Sequence, residues 1–176
     1  MRRVLAAVGA LACILTLTVA VRAGEHHPMP TEPGSAELER IKTLAGRWEG
    51  TSQEGQGAVE PAAAEYKVTS GGSVVVETLF PGTPHEMVSV YHDEKGKLAM
   101  THYCMLRNQP VLELSGQDAQ TIELANQGAG LNSPSEMHMH ALSIKWDGPD
   151  KITQQSNSQE GGQPKEGVTI ALSRVR

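Results

Sequence analysis

From residue 47 onward, apolar and polar residues alternate in short runs rich in Val, Ile, Leu, Thr and Tyr. A period of two is the signature of a strand with one buried face. The runs predict ten strands, near 47–53, 63–69, 73–80, 86–93, 97–106, 111–116, 120–125, 138–146, 151–157 and 167–174. The segments between them carry turn chemistry, including Gly71-Gly72, Pro81-Gly82-Thr83-Pro84, Asp93-Glu94-Lys95-Gly96, Asn108-Gln109-Pro110, Gly116-Gln117-Asp118, Asp147-Gly148-Pro149-Asp150 and Gly161-Gly162. No helical period lies between the strands, so parallel crossovers have no connection to use and neighbours must pair antiparallel. An open sheet of this size leaves two unpaired edges, and closure removes them. The predicted fold is therefore all-β, an antiparallel up-and-down meander barrel of about ten strands; a two-sheet sandwich is the alternative.

One segment breaks the period. Ser35 followed by Ala36-Glu37-Leu38-Glu39 reads as a capped helix start, and Leu38, Ile41, Leu44 and Ala45 are spaced to share a helical face. Gly46 stops it. A short helix over 36–45 is expected to cap one end of the barrel.

The N-terminus has another pattern. Met1-Arg2-Arg3 precedes an uncharged run, Val4 to Val21, and then Val21-Arg22-Ala23. A basic start, an apolar stretch and small residues at the cleavage positions describe a secretory signal peptide cut after Ala23. A retained membrane anchor and a lipid attachment at Cys13 are weaker readings, because the apolar chain continues past Cys13 to Val21. The expected organisation is a signal peptide (1–23), a Gly, Pro and His-bearing flexible leader (24–35) and a barrel domain (36–176). Periplasmic or secreted localisation follows, without stable membrane insertion after cleavage.

Cleavage removes three arginines and no acid, leaving 12 Lys and Arg against 20 Asp and Glu, a net charge of −8. That balance argues against nucleic acid as a partner. Cys104 would be the one cysteine remaining, so no internal disulfide can form and the core must hold the fold.

The segment Leu44-Ala45-Gly46-Arg47-Trp48-Glu49-Gly50 resembles the start of a calycin-type (lipocalin-like) barrel, where a short helix precedes a G-x-W-x-G first strand. That resemblance implies a Trp closing the barrel floor and a helix plugging one end. The stretches Gly71 to Phe80, Pro84 to His92 and Thr101-His102-Tyr103-Cys104 resemble a family of exported bacterial domains of unassigned function. The Gly46-x-Trp48-x-Gly50 motif and the strand number are also similar to the nitrobindin family of haem-binding barrels. That similarity implies a late-strand His as a haem ligand, for which His138 and His140 are the positional candidates.

Side chains two apart on a strand share a face, so Met100, His102 and Cys104 should line up together, as should His138 and His140. If both faces look inward, His102, Cys104, His138 and His140 converge as a nitrogen and sulfur set suited to zinc or copper. Met100, Met105, Met137 and Met139 flank them and would add thioethers, or simply fill the core. Glu77 is an acid inside Val74-Val75-Val76-Glu77-Thr78-Leu79. Facing outward, the default, it is solvated; facing inward, it requires an Arg, a His or a ligand beside it. Trp48, Tyr91, His92, Tyr103, Asn108 and Gln109 complete the candidate ligand-binding groups.

No nucleophile elbow, zinc-protease helix, phosphate loop or dinucleotide fingerprint is present, so no catalytic residue is nominated. The expectation is an exported barrel that binds a small, mainly apolar ligand. The alternatives are a haem- or metal-binding barrel using His102, His138 or His140, and a non-catalytic interaction module of the cell envelope.

Overall fold

The computed structural model describes residues 33–176. The expected signal peptide, Cys13, His26, His27 and most of the leader lie outside those residues.

A seven-residue helix, α1 (Ala36–Lys42), is followed by eleven strands: β1 (Gly46–Glu54), β2 (Val59–Thr69), β3 (Val74–Leu79), β4 (Met87–Glu94), β5 (Lys97–Tyr103), β6 (Val111–Gln117), β7 (Thr121–Asn126), β8 (His138–Gly148), β9 (Lys151–Glu160), β10 (Gln163–Pro164) and β11 (Val168–Arg174). Each of β1 to β9 pairs antiparallel with the next, β9 pairs with β11, and β11 returns to β1 through the register Trp48↔Arg174 to Glu54↔Val168. Ten strands thus close an up-and-down barrel, and the two-residue β10 only extends the β9 hairpin. All ten predicted strands are present. The sandwich alternative falls because one continuous ladder runs around the molecule.

The calycin-like motif acquires a physical reading at the closing seam. Gly46 turns out of the helix with φ +120°, a conformation side chains resist. Gly50 faces β11 so closely that a Cβ there would stand 1.9 Å from the Ala171 carbonyl oxygen. Between them Trp48 is fully buried, and its indole N–H donates to the Leu44 carbonyl at 2.7 Å. The indole thereby satisfies a carbonyl left open where the helix ends.

Helix α1 lies across that end of the barrel and is tied down at three places. Ser35 caps it by accepting from the Leu38 amide at 3.1 Å, while its own N–H and hydroxyl donate to Asp93 at 2.6 and 2.7 Å. Arg40 donates to the carbonyls of Asp118 and Ala119 and stacks over Trp146 at 4.1 Å. Arg174, from the last strand, lies 4.3 Å over the Trp48 ring and donates to the carbonyls of Thr43 and Ala45. Leu38, Ile41 and Leu44 enter the core as predicted, but Ala45 is exposed because the helix ends at Lys42, ahead of it.

Inside, Val75, Leu98, Met100, Leu112, Ile122, Leu124, Ile144, Ile152 and Leu172 pack into one apolar cluster with Trp48 and the helix. Each comes from the inward parity of its strand.

The seam predicts a stability effect. Gly50→Ala has nowhere to place its methyl group except against main chain, so it should destabilise the barrel by about 2–3 kcal/mol, read as a lower urea midpoint with an unchanged slope.

Candidate functional site

The interior is not wholly apolar. Glu77 is 1% exposed, so the outward orientation does not hold: β3 turns Val75, Glu77 and Leu79 into the lumen together. Its required partner is neither Arg nor His. Tyr66 donates its hydroxyl to Oε1 at 2.6 Å, Tyr91 donates to Oε2 at 2.7 Å, and the Gln154 amide donates to Oε1 and also to the Tyr66 hydroxyl. The Ser89 hydroxyl stands beside the carboxylate and, like these donors, favours its charged form. A carboxyl group surrounded by donors is held in place, yet burial still pushes its pKa above the ordinary range, the hydrogen bonds offsetting only part of that. Desolvation, then the neighbouring carboxylate, pushes both tyrosines well above their usual value.

The network continues to His102, which is 0% exposed at the end of β5. Its Nδ1 lies 3.0 Å from the Ser89 hydroxyl oxygen. Which of the two atoms donates depends on the His102 tautomer. No partner satisfies Nε2 among the described residues. Burial lowers the His102 pKa to about 4, so the ring is neutral at physiological pH.

A small cavity of about 20 Å³ sits beside this network, toward the end of the barrel opposite α1. Glu77, Ser89, Gln154 and Ser156 form its polar side; Leu79, Met139, Leu142, Val168 and Ile170 form its apolar side. That space holds a water-sized group. A larger concavity, about 240 Å³, lies at the β5–β6 seam and is lined mainly by Glu94, Lys95, Lys97 and Glu113. There only Ala99–Thr101 and Val111–Glu113 pair, so the wall is locally splayed.

The remaining expected site residues separate. Trp48 and Tyr91 are interior, but Trp48 belongs to the α1 end and its N–H is already satisfied. His92 alternates away from Tyr91 to the outer wall, half-buried. Tyr103 is 50% exposed. Asn108 is buried, but in the β5–β6 loop, where it donates to the Met137 carbonyl at 2.8 Å and ties two loops together.

The metal quartet does not assemble. Among the described residues, no group of three or more His, Cys, Asp and Glu side chains converges on a metal-binding point. Cys104 lies just past the end of β5 and is a free, half-buried thiol. His138 and His140 are neighbours, with ring centroids 5.5 Å apart, but a bulge in β8 sets Met139 opposite Ser158 and Ala141 opposite Asn157. At this bulge Met139 lines the lumen cavity, while His138, buried, and His140, half-buried, do not. His102 and this pair therefore do not share a site. A haem does not fit beside His102 either, because it needs a space of several hundred Å³ where the lumen offers about 20 Å³.

Gln154 is the interior polar residue that the sequence reading passed over. Its signal was parity: it lies two residues from Ile152, on the same face of β9.

No family model matches the chain, and no curated protein matches it. Among solved structures, the chain is similar to a redesigned β-barrel at 12% identity, over 77% of this chain and 95% of that one, with a TM-score of 0.38. The barrel assignment rests on this chain's own strand pairing.

His102 carries a pH prediction. Its folded pKa lies below the unfolded value, so the stability it contributes is complete above pH 6.5 and is lost as pH falls toward 4. Glu77 acts oppositely, its raised pKa favouring the fold at low pH. Between pH 7 and 4, His102→Leu should lose about 3 kcal/mol less stability than the unsubstituted chain. Urea midpoints at the two pH values measure the difference, and parallel losses would refute it.

Proposed function

We propose that the chain is an exported barrel whose lumen takes a small, mainly apolar ligand with one polar head at the Glu77–Ser89–Gln154 wall. The observation that carries this reading is the meeting of a buried hydrogen-bonding network and an apolar wall at one cavity. Ligand sites are mostly apolar with a few placed polar groups that orient the guest. The present space admits the head alone. A body behind it needs Met139 to swing aside, and a half-buried, unbranched thioether side chain is suited to that.

The surroundings of the cavity end support the same reading. Tyr103, Met105, Leu106 and Met137 are exposed there, on the β5–β6 and β7–β8 connections that Asn108 joins. Such side chains give an apolar guest a surface to meet before it enters. Action in the periplasm or outside the cell follows from the N-terminal charge and apolar pattern, and the acidic mature charge is in keeping with a small-molecule partner.

Native mass spectrometry of protein recovered from the export compartment should show a copurifying small molecule. In solution, the chain should enhance anilinonaphthalene sulfonate fluorescence and release the dye to hexanol. Ser156→Trp, filling the lumen at its rim, should abolish displacement, and Glu77→Gln should weaken it about tenfold, the equivalent of one lost polar contact. Absence of both a bound mass and any displacement would leave the exposed apolar loops as an interaction surface and remove the ligand reading.

A further inference from the structure

We infer that His138 and His140 form a two-imidazole chelate for a borderline divalent ion, zinc or cupric copper, at the start of β8, with His138 buried and the half-buried His140 open to solvent. The site is independent of the lumen reading. It lies at the β8 bulge, where Met139 lines the lumen cavity and the two histidines do not.

Two features of the pair suit an ion. Nε2 of His138 and Nδ1 of His140 are 3.4 Å apart. That is long for a hydrogen bond, and it is the separation of about 3.3–3.4 Å that two nitrogens take on a tetrahedral ion with bonds near 2.0–2.1 Å. The His138 ring is already oriented, because its Nδ1–H donates to the Glu136 carbonyl at 2.8 Å. A backbone carbonyl on the far nitrogen is the outer-shell arrangement that fixes the tautomer of a metal-binding His and leaves Nε2 with a free lone pair.

A neutral His140 binds through Nδ1 once its proton sits on Nε2, a tautomer shift that leaves its proton count unchanged. No third His, Cys, Asp or Glu of the described residues joins them. Water or an external donor would complete the shell, so the ion is exchangeable and its affinity falls in the micromolar range rather than the nanomolar range of closed sites.

The test titrates Zn²⁺ alone and Cu²⁺ alone into the full chain by calorimetry at neutral pH. His26→Ala and His27→Ala are present in every sample, to remove the adjacent pair in the leader. One equivalent should bind, His140→Gln should weaken binding at least tenfold, and the His138→Gln, His140→Gln double variant should abolish it. No binding by the parent, or equal binding by His140→Gln, overturns the proposal. His140→Gln is the decisive variant, because His140 is only half-buried and its replacement leaves the His138–Glu136 contact intact.

Discussion

Closure of the sheet between β1 and β11 is the constraint on which the rest of the molecule depends. Gly50 allows the two backbones to meet, and every strand then acquires an inside and an outside. Without that seam, two edges would stand unpaired and the lumen would be one face of an open sheet. With it, the inward parity of ten strands converges on one volume. The helix end is sealed by Trp48 and by Leu38, Ile41 and Leu44, so any opening to the lumen must lie at the other end.

The closed interior also explains how an acid survives there. Among the described residues Glu77 has no cationic partner; two phenols and an amide take its lone pairs, with Ser89 beside them. Neutral donors reduce the cost of a buried carboxylate without cancelling it, which is why burial still dominates its protonation. Arg174 and Arg40 show the opposite use of charge. At the helix end they lie over tryptophan rings and satisfy open carbonyls, which joins the first element to the last strands. Polar interior chemistry and cationic end chemistry are thus kept at different levels of the same barrel.

Most of the fold was legible in the chain, and much less of the site was. Strand positions follow from local alternation and turn residues, and the Ser35 cap is a contact within one helical turn. Glu77, by contrast, read as solvated because an isolated strand does not reveal which face is wet. The His138–His140 pair was seen as a unit, yet at the β8 bulge it is Met139 that lines the cavity. Gln154 was overlooked because its partners lie 77 and 88 residues away in sequence, and the helix-end role of Arg174 because the carbonyls it satisfies lie 129 and 131 residues away.

By itself, then, the sequence determined the all-β class, the ten strand positions, the capped helix and the Gly46–Trp48–Gly50 start, since each rests on interactions between residues close along the chain. Only the tertiary structure decided that Glu77 and His102 are buried, that Met139 and not the histidines of β8 lines the cavity, and that Cys104 stands apart from them. The physical reason is that a strand's inner face is set by the strands that flank it. A bulge or a neighbour's register changes that choice without leaving a mark on the strand's own pattern.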